Sequence, residues 1–249
     1  MQTTFTRVYQ DIQAAKLVHM TGLWLIHGDD PLVLNWVIDA CRPLFLSNQQ
    51  MIKRITLDSP KRWNDVLAEI DSLSLFGDNS ALIVSQKQKC DDAILSALDA
   101  FAEDASVGNS QHCLIYQLPK QDKKEQNTKL FKLFAQKGVV VDCHIYDEKG
   151  RAAILALKAQ ELNLSLDSAA WQCLLEHTEH NLLAAHQALW RASDLYPNIQ
   201  TPLDTEALMP ALVSDYHYSV FNLCDSILAG DVKKVMQILT QFTPNRHCS

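Results

Sequence analysis

The sequence of 249 residues contains few glycines and prolines, 7 and 8 respectively, and it has no low-complexity segment. Charged residues make up 20% of it and hydrophobic residues 47%. Collagen-like and intrinsically disordered chains have other compositions, so both classes are excluded. The chain is long enough to bury a substantial core, and we expect two or more globular domains.

Cysteine pairs at CxxC spacing and long apolar runs are both missing. The seven cysteines are Cys41, Cys90, Cys113, Cys143, Cys173, Cys224 and Cys248. An odd number without a disulfide framework predicts a reducing compartment. A membrane-spanning helix needs about 20 apolar residues, and the first residues, MQTTFTRVYQDIQ, lack the apolar core of a signal peptide. We therefore expect a cytoplasmic protein with no membrane partner.

A surplus of basic residues is missing as well. Lys and Arg number 22 against 29 Asp and Glu, which gives a net charge of -7 at pH 7. Binding to phosphates needs an excess of Lys and Arg on one face of a protein. We expect any DNA contact to be local or to be made within a complex.

In the first half of the chain, short apolar runs alternate with helical patterns. Strands are predicted at Leu23–His27, Ile52–Leu57, Ala81–Val84, His112–Leu118 and Val139–Cys143. Helices are predicted from Pro31, from Ser59–Pro60, over Asp92–Ala102 and over Lys123–Lys137. This alternation implies right-handed crossovers and a mainly parallel sheet that is covered on both faces.

After Tyr146 only helical periodicity remains. Helices are predicted at Glu148–Leu162, Asp167–His177, Asn181–Leu195, Asp204–Val213, Phe221–Leu228 and Val232–Phe242. We predict an α/β domain over 1–146, a small helical lid over 147–213 and the first helices of a further domain over 214–249. An α/β domain followed by a helical lid is typical of AAA+ ATPases.

The first loop of this AAA+-like frame lacks the residues that bind nucleotide. The phosphate loop of such ATPases reads GxxxxGK followed by Ser or Thr, whereas here the loop is Gly28, Asp29, Asp30 and Pro31. Two aspartates repel phosphate, and proline removes an N–H donor. The third strand runs into Ser85 and Gln86 without an acidic pair for Mg²⁺. No Walker motif, bound nucleotide or cofactor is expected, although a doubly wound domain that never bound phosphate remains an alternative.

The segment Ser72-Leu-Ser-Leu-Phe-Gly-Asp78 carries an exceptional apolar pair. Leu75 and Phe76 are consecutive, so on a regular element they cannot both face one core. Gly77 and Asp78 directly behind them indicate a turn. The pair is a candidate anchor for a partner's pocket, and the alternative is that both side chains fold back onto the domain core.

Other polar clusters have weaker signals. Glu176, His177, Glu179, His180 and His186 match no zinc motif, and a polar helix end is the favoured interpretation. Cys143-His144 has no companion at ligand spacing, and no nucleophile motif is present. We therefore predict neither a metal site nor a catalytic residue.

A run of lysines follows the fourth strand. It contains Lys120, Lys123, Lys124, Lys129, Lys132 and Lys137. This run could face DNA or an acidic partner. A solvated helix face is the favoured alternative, because Leu130, Leu133 and Phe134 supply a buried side.

Five segments, in order, resemble the delta subunit of the bacterial DNA polymerase III clamp loader, which is AAA+-like. They are WLIHGDDPLVL, SLSLFGD, LPKQDKKEQNTKLFKLFAQKGVVVDC, AQELNLSLDSAA and HNLLAAHQALWRASDLYP. The resemblance extends from about Leu23 to Phe242. Single motifs here are unspecific, and their ordered combination carries the resemblance.

The resemblance implies a subunit that binds no ATP and opens the ring of the sliding clamp during replication. Leu75 and Phe76, with Leu73 and Ser74 beside them, would bind the clamp. The implied partners are the clamp, the ATPase and delta-prime type subunits, and DNA through the assembled complex. The chain would have no catalytic site of its own, as an accessory subunit of a DNA-directed DNA polymerase (nucleotidyltransferase) holoenzyme.

Two departures from the family pattern are present. The lid motif has Glu179-His180-Asn181 where the family has Glu-Gly-Asn, and only two helices of the collar domain precede Ser249, as in a C-terminally shortened chain. Two other functions remain open. One is a small α/β enzyme with a pocket at the carboxyl ends of the strands, and the other is a clamp-loader relative that does not open the clamp.

Overall fold

The computed structural model describes residues 1–76, 79–108, 111–178 and 181–213, together with Val235, and within 72–76 it describes the backbone alone. The chain forms two compact units, Met1–Arg151 and Ala152–Ser249. The domain boundaries at 146 and 213 stay predictions. Apart from Val235, the two predicted collar helices lie outside the described residues.

The first unit is built on a six-stranded sheet. Its strands are β1 Gln2–Thr4, β2 Gly22–Gly28, β3 Met51–Thr56, β4 Ser80–Ser85, β5 Cys113–Pro119 and β6 Val139–Asp142. The strand order is β1-β6-β2-β5-β4-β3, and every pairing is parallel. The parallel α/β architecture is confirmed, and the sixth strand is a correction, because the sequence predicted five. β1 is short and polar, so no apolar run marks it.

Helices connect these strands. They are α1 Phe5–Gln13, α2 Pro31–Ser47, α3 Trp63–Phe76, α4 Asp92–Ser106, α5 Lys123–Gln126 and α6 Lys129–Lys137, with a 3₁₀ turn at Pro60–Arg62 before α3. Successive side chains of β2 point to opposite faces of the sheet, and both faces are covered. Leu23 and Leu25 belong to the core shared with α3, α4 and α6, whereas Trp24 and Ile26 are buried on the opposite face.

The core beneath α3, α4 and α6 is centred on aromatic side chains. Trp63 of α3 and Tyr116 of β5 are fully buried, and their rings meet edge to face at 5.4 Å. The Tyr116 hydroxyl donates to the Gln86 carbonyl at 3.1 Å, so its polar end is satisfied. Burying one large apolar side chain contributes about 1.5–3 kcal/mol, so these side chains fix the packing of α3 on the sheet.

Two helix predictions were wrong in detail. The continuous helix over Lys123–Lys137 is in fact two helices, because Thr128 interrupts it and its hydroxyl accepts a hydrogen bond from Phe131 N as the N-cap of α6. The second helix, predicted to end before Ser72, continues to Phe76. Leu75 and Phe76 therefore lie in the last helical turn rather than in a turn segment.

The second unit is helical. Its helices are α7 Glu148–Glu161, which begins in the first unit, α8 Ser168–His177, α9 Leu182–Leu195 and α10 Thr205–Val213. Asp167 and Asn181 cap α8 and α9 at the predicted positions. α10 packs against α8 and α9, and Arg191 Nε donates to the Ala211 carbonyl at 2.8 Å. Among the helices of the described ranges, none has both the length and the apolar character that crossing a bilayer requires.

Candidate functional site

The loop between β2 and α2 caps the N-terminus of α2 with its own side chain. Asp30 is the N-cap of α2, and its carboxylate accepts a hydrogen bond from Leu32 N at 2.8 Å. Pro31 occupies the first position of the helix and has no N–H. In a phosphate loop these backbone donors would face the ligand. Here one is used by a carboxylate and one is absent, and the lack of nucleotide binding at Gly28-Asp29-Asp30-Pro31 stays a prediction.

Gly28 is explained by packing against β6 rather than by a ligand. A Cβ atom at this position would lie 2.9 Å from the Cys143 carbonyl oxygen. The hydrogen bond from Cys143 N to the His27 carbonyl, 2.8 Å long, holds the two backbone segments at this distance. The glycine therefore allows the end of β2 to approach the end of β6 closely.

A cluster of charged side chains lies behind this loop. Asp29 Oδ2 is 2.6 Å from His144 Nδ1, and Lys120 Nζ is 2.7 Å from His144 Nε2. Burial tends to raise the pKa of Asp29, but the contact with His144 and the charge of Lys120 bring it below its ordinary value. The three side chains come from the ends of β2, β5 and β6. No sequence spacing could predict these companions of His144, because strand order decides which strand ends meet.

His27 and Asp142 form a second polar group at the same end of the sheet. His27 is 4% exposed, and its Nδ1 has no hydrogen-bond partner in the described part of the chain. Burial lowers the pKa of His27, although the nearby Asp142 carboxylate acts in the opposite direction. Asp142 accepts hydrogen bonds from Tyr146 Oη at 2.6 Å and from His144 N at 2.9 Å. A polar cavity of about 250 Å³ borders both residues.

The segment predicted to bind a partner lies at the opposite end of the strands. Leu73, Ser74, Leu75 and Phe76 form the end of α3, shortly before β4 begins at Ser80. The Gly28 loop follows the carboxyl end of β2. Since all strands are parallel, the amino end of β4 and the carboxyl end of β2 lie at opposite ends of the sheet, measured along the strands.

Acidic residues neutralise much of the lysine run. Lys129 pairs with Asp92 at 2.8 Å, and Lys137 pairs with Asp99 at 2.6 Å and with Glu103 at 2.8 Å. Lys123, Lys124 and Lys132 are exposed. Phe131 and Phe134 bury the other side of α6. The favoured interpretation of a solvated helix face agrees with this arrangement, and a contact with DNA stays a hypothesis.

The candidate metal residues that the structure describes form no metal-binding group with one another. His177 Nδ1 is 2.9 Å from the Cys173 carbonyl oxygen of its own helix, and Glu179 and His180 lie outside the described residues. Within the described ranges, no group of three or more His, Cys, Asp or Glu side chains is arranged around a possible metal position.

A larger cavity, of about 800 Å³, opens at the carboxyl ends of β2 and β5, where Leu25 and Leu118 line it. This is the position that the enzyme alternative requires. Cys90 also lines it, and burial raises the pKa of this thiol to about 12, so it is not a thiolate near neutral pH. None of these residues was predicted to form a site, since the helix and strand patterns alone present them as core positions.

Comparison with known proteins points to one family. Residues 24–144 match the family described as DNA polymerase III, delta subunit. The chain is 28% identical over 240 residues to DNA polymerase III subunit delta of Escherichia coli (strain K12), covering 95% of this chain and 68% of the relative. It is 24% identical over 224 residues to the Haemophilus influenzae subunit, covering 88% and 64%. The chain thus spans about two thirds of the length of these relatives.

The fold agrees with these sequence matches. The DNA clamp loader delta protein of Bacillus subtilis superimposes with a TM-score of 0.66 at 11% identity, covering 96% of this chain and 71% of that one. An identity this low supports the fold alone. The sequence matches and this superposition confirm the resemblance predicted from the ordered motifs: over residues 24–144 the chain is similar to the DNA polymerase III delta-subunit family.

Proposed function

We propose that this chain acts as a clamp-loader delta subunit, binding the sliding clamp through the end of α3 and opening its ring for loading onto primed DNA. The observation that carries the proposal is the family match over the α/β unit, which contains both the altered loop and the α3 end. A self-capped helix N-terminus at Asp30 is consistent with a subunit that binds no ATP. ATPase-type and delta-prime type subunits of the same loader would supply hydrolysis.

The register of α3 supports a binding role for its last turn. Trp63 and Val66 are buried, and Leu67 and Ile70 pack against the same core. At about 100° per residue, backbone position 75 lies about 140° around the helix from position 70. Position 76 lies about 120° from it in the other direction. Both positions of the Leu75-Phe76 pair are thus off the buried stripe, whereas positions 73 and 74 continue it.

A consecutive apolar pair outside the buried stripe has the chemistry of an interface anchor. Hot-spot residues of this kind typically cost about 2–4 kcal/mol when they are truncated, because they fill a desolvated pocket on the partner. A loss of about 2 kcal/mol corresponds to about a 30-fold weaker affinity. DNA would be reached through the assembled complex, since the lysines of α6 are largely paired with α4.

The test is calorimetric titration of the cognate bacterial sliding clamp with the full chain. Leu75→Ala/Phe76→Ala should weaken binding by about 30-fold or more, with an unchanged circular dichroism spectrum and melting temperature. The matched control is Val107→Ala, which truncates an apolar side chain that is 70% exposed at the end of α4. Equal clamp affinity of the double variant and the wild type would disprove the proposed contact.

Ring opening needs a separate measurement. Clamps loaded on nicked circular DNA should be released when the wild-type chain is added, and the double variant should release them far more slowly. Tight clamp binding without release would favour the clamp-loader relative that binds but does not open the ring.

A further inference from the structure

The end of α3 is too small to form a stable protein contact by itself. Stable interfaces bury about 800 Å² on each partner and involve roughly 20–30 of its residues. The segment that would bind the clamp spans only 73–76. If that contact forms as proposed above, neighbouring surface at the amino ends of the strands must supply the remainder.

The two ends of the sheet differ in charge, although the connections at both ends have a similar total length. Eleven Asp, Lys and Arg residues lie in the connections that follow the carboxyl ends of the strands, which are 29–30, 57–62, 86–91, 120–122 and 143–147. Only Lys16 and Asp78 lie in the connections that lead into the amino ends, which are 14–21, 48–50, 77–79, 107–112 and Gly138. The cores of protein interfaces are depleted of charged residues. The amino ends of the strands therefore have the composition of a contact surface.

Exposed apolar side chains are concentrated at the same amino ends. Among the described residues of the first unit, six large apolar side chains are exposed, and of these only Tyr146 lies at the carboxyl ends. The other five are Met1, Val18, Leu46, Met51 and Val107. Apolar side chains that are exposed together on one surface mark a site of protein interaction.

Two of these five side chains, Leu46 and Met51, lie next to the segment that follows α3. Met51 begins β3, and its N–H donates to the Asn79 carbonyl at 2.9 Å. Asn79 Nδ2 donates in turn to the Asn48 carbonyl at 3.2 Å, and Asn48 follows Leu46 by two residues. Because Asn79 is the third residue after Phe76, this surface is continuous with the end of α3.

Val107 and Met1 lie farther across the sheet. The end of α4, which Val107 follows, is beside the start of β2, since a Cβ at Gly22 would be 3.3 Å from Ala105 Cβ. In the strand order, β5 and β4 separate β2 from β3, and Met1 precedes β1 at the far edge. The surface that adjoins the end of α3 on the side of β3 thus contains Leu46 and Met51 and not these two residues.

A fixed turn presents Leu46 and Met51. Gln50 N donates to the Phe45 carbonyl at 2.8 Å and Gln49 N donates to the Leu46 carbonyl at 3.1 Å, with Gln49 in the left-handed region at a φ of 55°. This hydrogen-bond pattern is the Schellman motif that ends many helices. Gln50 is buried and anchors the turn. Because the backbone is already ordered, binding a partner here loses little conformational entropy.

We propose that Leu46 and Met51 form a second contact with the sliding clamp, on the β3 side of the contact made by the end of α3. The inference rests on the proposed function, because one clamp occupies both surfaces. Residues 44–52 contain no Asp, Glu, Lys or Arg, so the clamp surface that meets them is apolar and uncharged.

The first test compares the oxidation of two exposed methionines in the unmodified full chain. Hydrogen peroxide converts exposed methionine to the sulfoxide, and peptide mass spectrometry gives the rate at each position. Met51 is 60% exposed and Met1 is 68% exposed, so Met1 is a matched internal control. A saturating amount of the cognate sliding clamp should slow oxidation of Met51 by about fivefold or more and leave Met1 unchanged.

The second test is calorimetric titration of the clamp with a double variant. Leu46→Ala/Met51→Ala should weaken binding by about tenfold without a change in melting temperature. The matched control is Leu183→Ala/Leu195→Ala, which truncates two side chains of α9 that are 49% and 53% exposed and should bind like the wild type. If the first double variant fails to fold, the oxidation of Met51 in the wild type decides.

The inference is overturned if bound clamp does not slow oxidation of Met51, or if the two double variants bind the clamp equally well. Protection of Met51 at high concentration of the chain without clamp would assign the surface to a second copy and would also overturn it. These results leave the proposed function intact as long as Leu75→Ala/Phe76→Ala weakens clamp binding. Failure of the wild-type chain to bind the clamp would overturn both.

Discussion

Asp29 Oδ2 and His144 Nδ1 are 2.6 Å apart, which joins the loop after β2 to the segment after β6. Lys120 approaches the other ring nitrogen of the same histidine at 2.7 Å. The only lysine in this cluster is therefore directed at a histidine of its own chain. Carboxylates, a proline and paired charges occupy the end of the sheet where an AAA+ ATPase would hold the nucleotide phosphates.

The first prediction is that ATP with Mg²⁺ leaves the melting temperature of the chain unchanged. Asp29 and Asp30 repel phosphate, and the N-terminal donor of α2 at Leu32 is already used. Thermal shift with ATP, ADP and AMP at millimolar concentration is the measurement, with sodium chloride matched in ionic strength as the control. A ligand present at 100 times its Kd would stabilise the fold by about 2.7 kcal/mol, and a shift of that size would contradict the interpretation of the loop.

The second prediction concerns close packing at Gly28. Gly28→Ala should destabilise the first unit by about 1–3 kcal/mol, since its Cβ would meet the Cys143 carbonyl at 2.9 Å and backbone atoms cannot move aside cheaply. Urea unfolding measures this change. Gly150→Ala is the control. Gly150 lies inside α7, where alanine is favoured by up to about 1 kcal/mol, and a Cβ there would make ordinary contacts with Asp147 Oδ1 at 3.4 Å and Ile145 Cγ2 at 3.9 Å. Equal effects of the two substitutions on the unfolding free energy would show that the ends of β2 and β6 can move apart to accept a side chain.

A third prediction follows from the interruption between α5 and α6. Thr128→Ala should cost about 1 kcal/mol of unfolding free energy, because Phe131 N loses the hydroxyl that caps α6. Thr128→Ser keeps the capping hydroxyl and should leave the unfolding free energy nearly unchanged. If alanine is instead neutral or stabilising, the two helices can join into the single helix that the sequence suggested.

The fourth prediction is that acid destabilises the first unit through the buried His27 and the half-buried His112. Burial lowers the pKa of both His27 and His112 from the ordinary value of 6.5. The unfolded chain then binds more protons than the folded one below about pH 6.5, so stability is fully present above that pH. It is lost as the pH falls through the lowered pKa values.

Urea unfolding at pH 7.5, 6.5 and 5.5 measures this dependence, and His27→Gln should reduce it because glutamine does not titrate. An NMR titration of the histidine ring protons provides a direct control. Midpoints at or above 6.5 for both histidines would contradict the proposed cause.

Local sequence signals were sufficient for most of the elements. The caps at Asp30, Asp167 and Asn181 stand immediately before the helices that they were predicted to start. These signals succeed because the capping side chain and the N–H groups that it accepts from are three residues apart or fewer. The apolar run at 23–27 likewise identified β2 from its own residues.

Features that depend on distant residues escaped prediction. β1 is stabilised by pairing Gln2 with Val140, and a polar strand at a sheet edge has no apolar pattern of its own. The contact between Asp29 and His144 requires that β2 and β6 be neighbours, which strand order decides. The end of α3 at Phe76 was misplaced because Ser72 and Ser74 are weak helix formers, and the packing of the preceding turns outweighs their propensity.

The position of β2 in the sheet bears on how the protein is made. Leu25 pairs with Tyr116 on one side and with Val140 on the other. Both partner strands are synthesised long after β2, so β2 cannot enter the sheet when it first leaves the ribosome. Until then its apolar residues have no sheet to join, so they stay exposed during synthesis, which is a condition that favours aggregation. We expect the α/β unit to acquire protease resistance in a single late step, once β6 has left the exit tunnel.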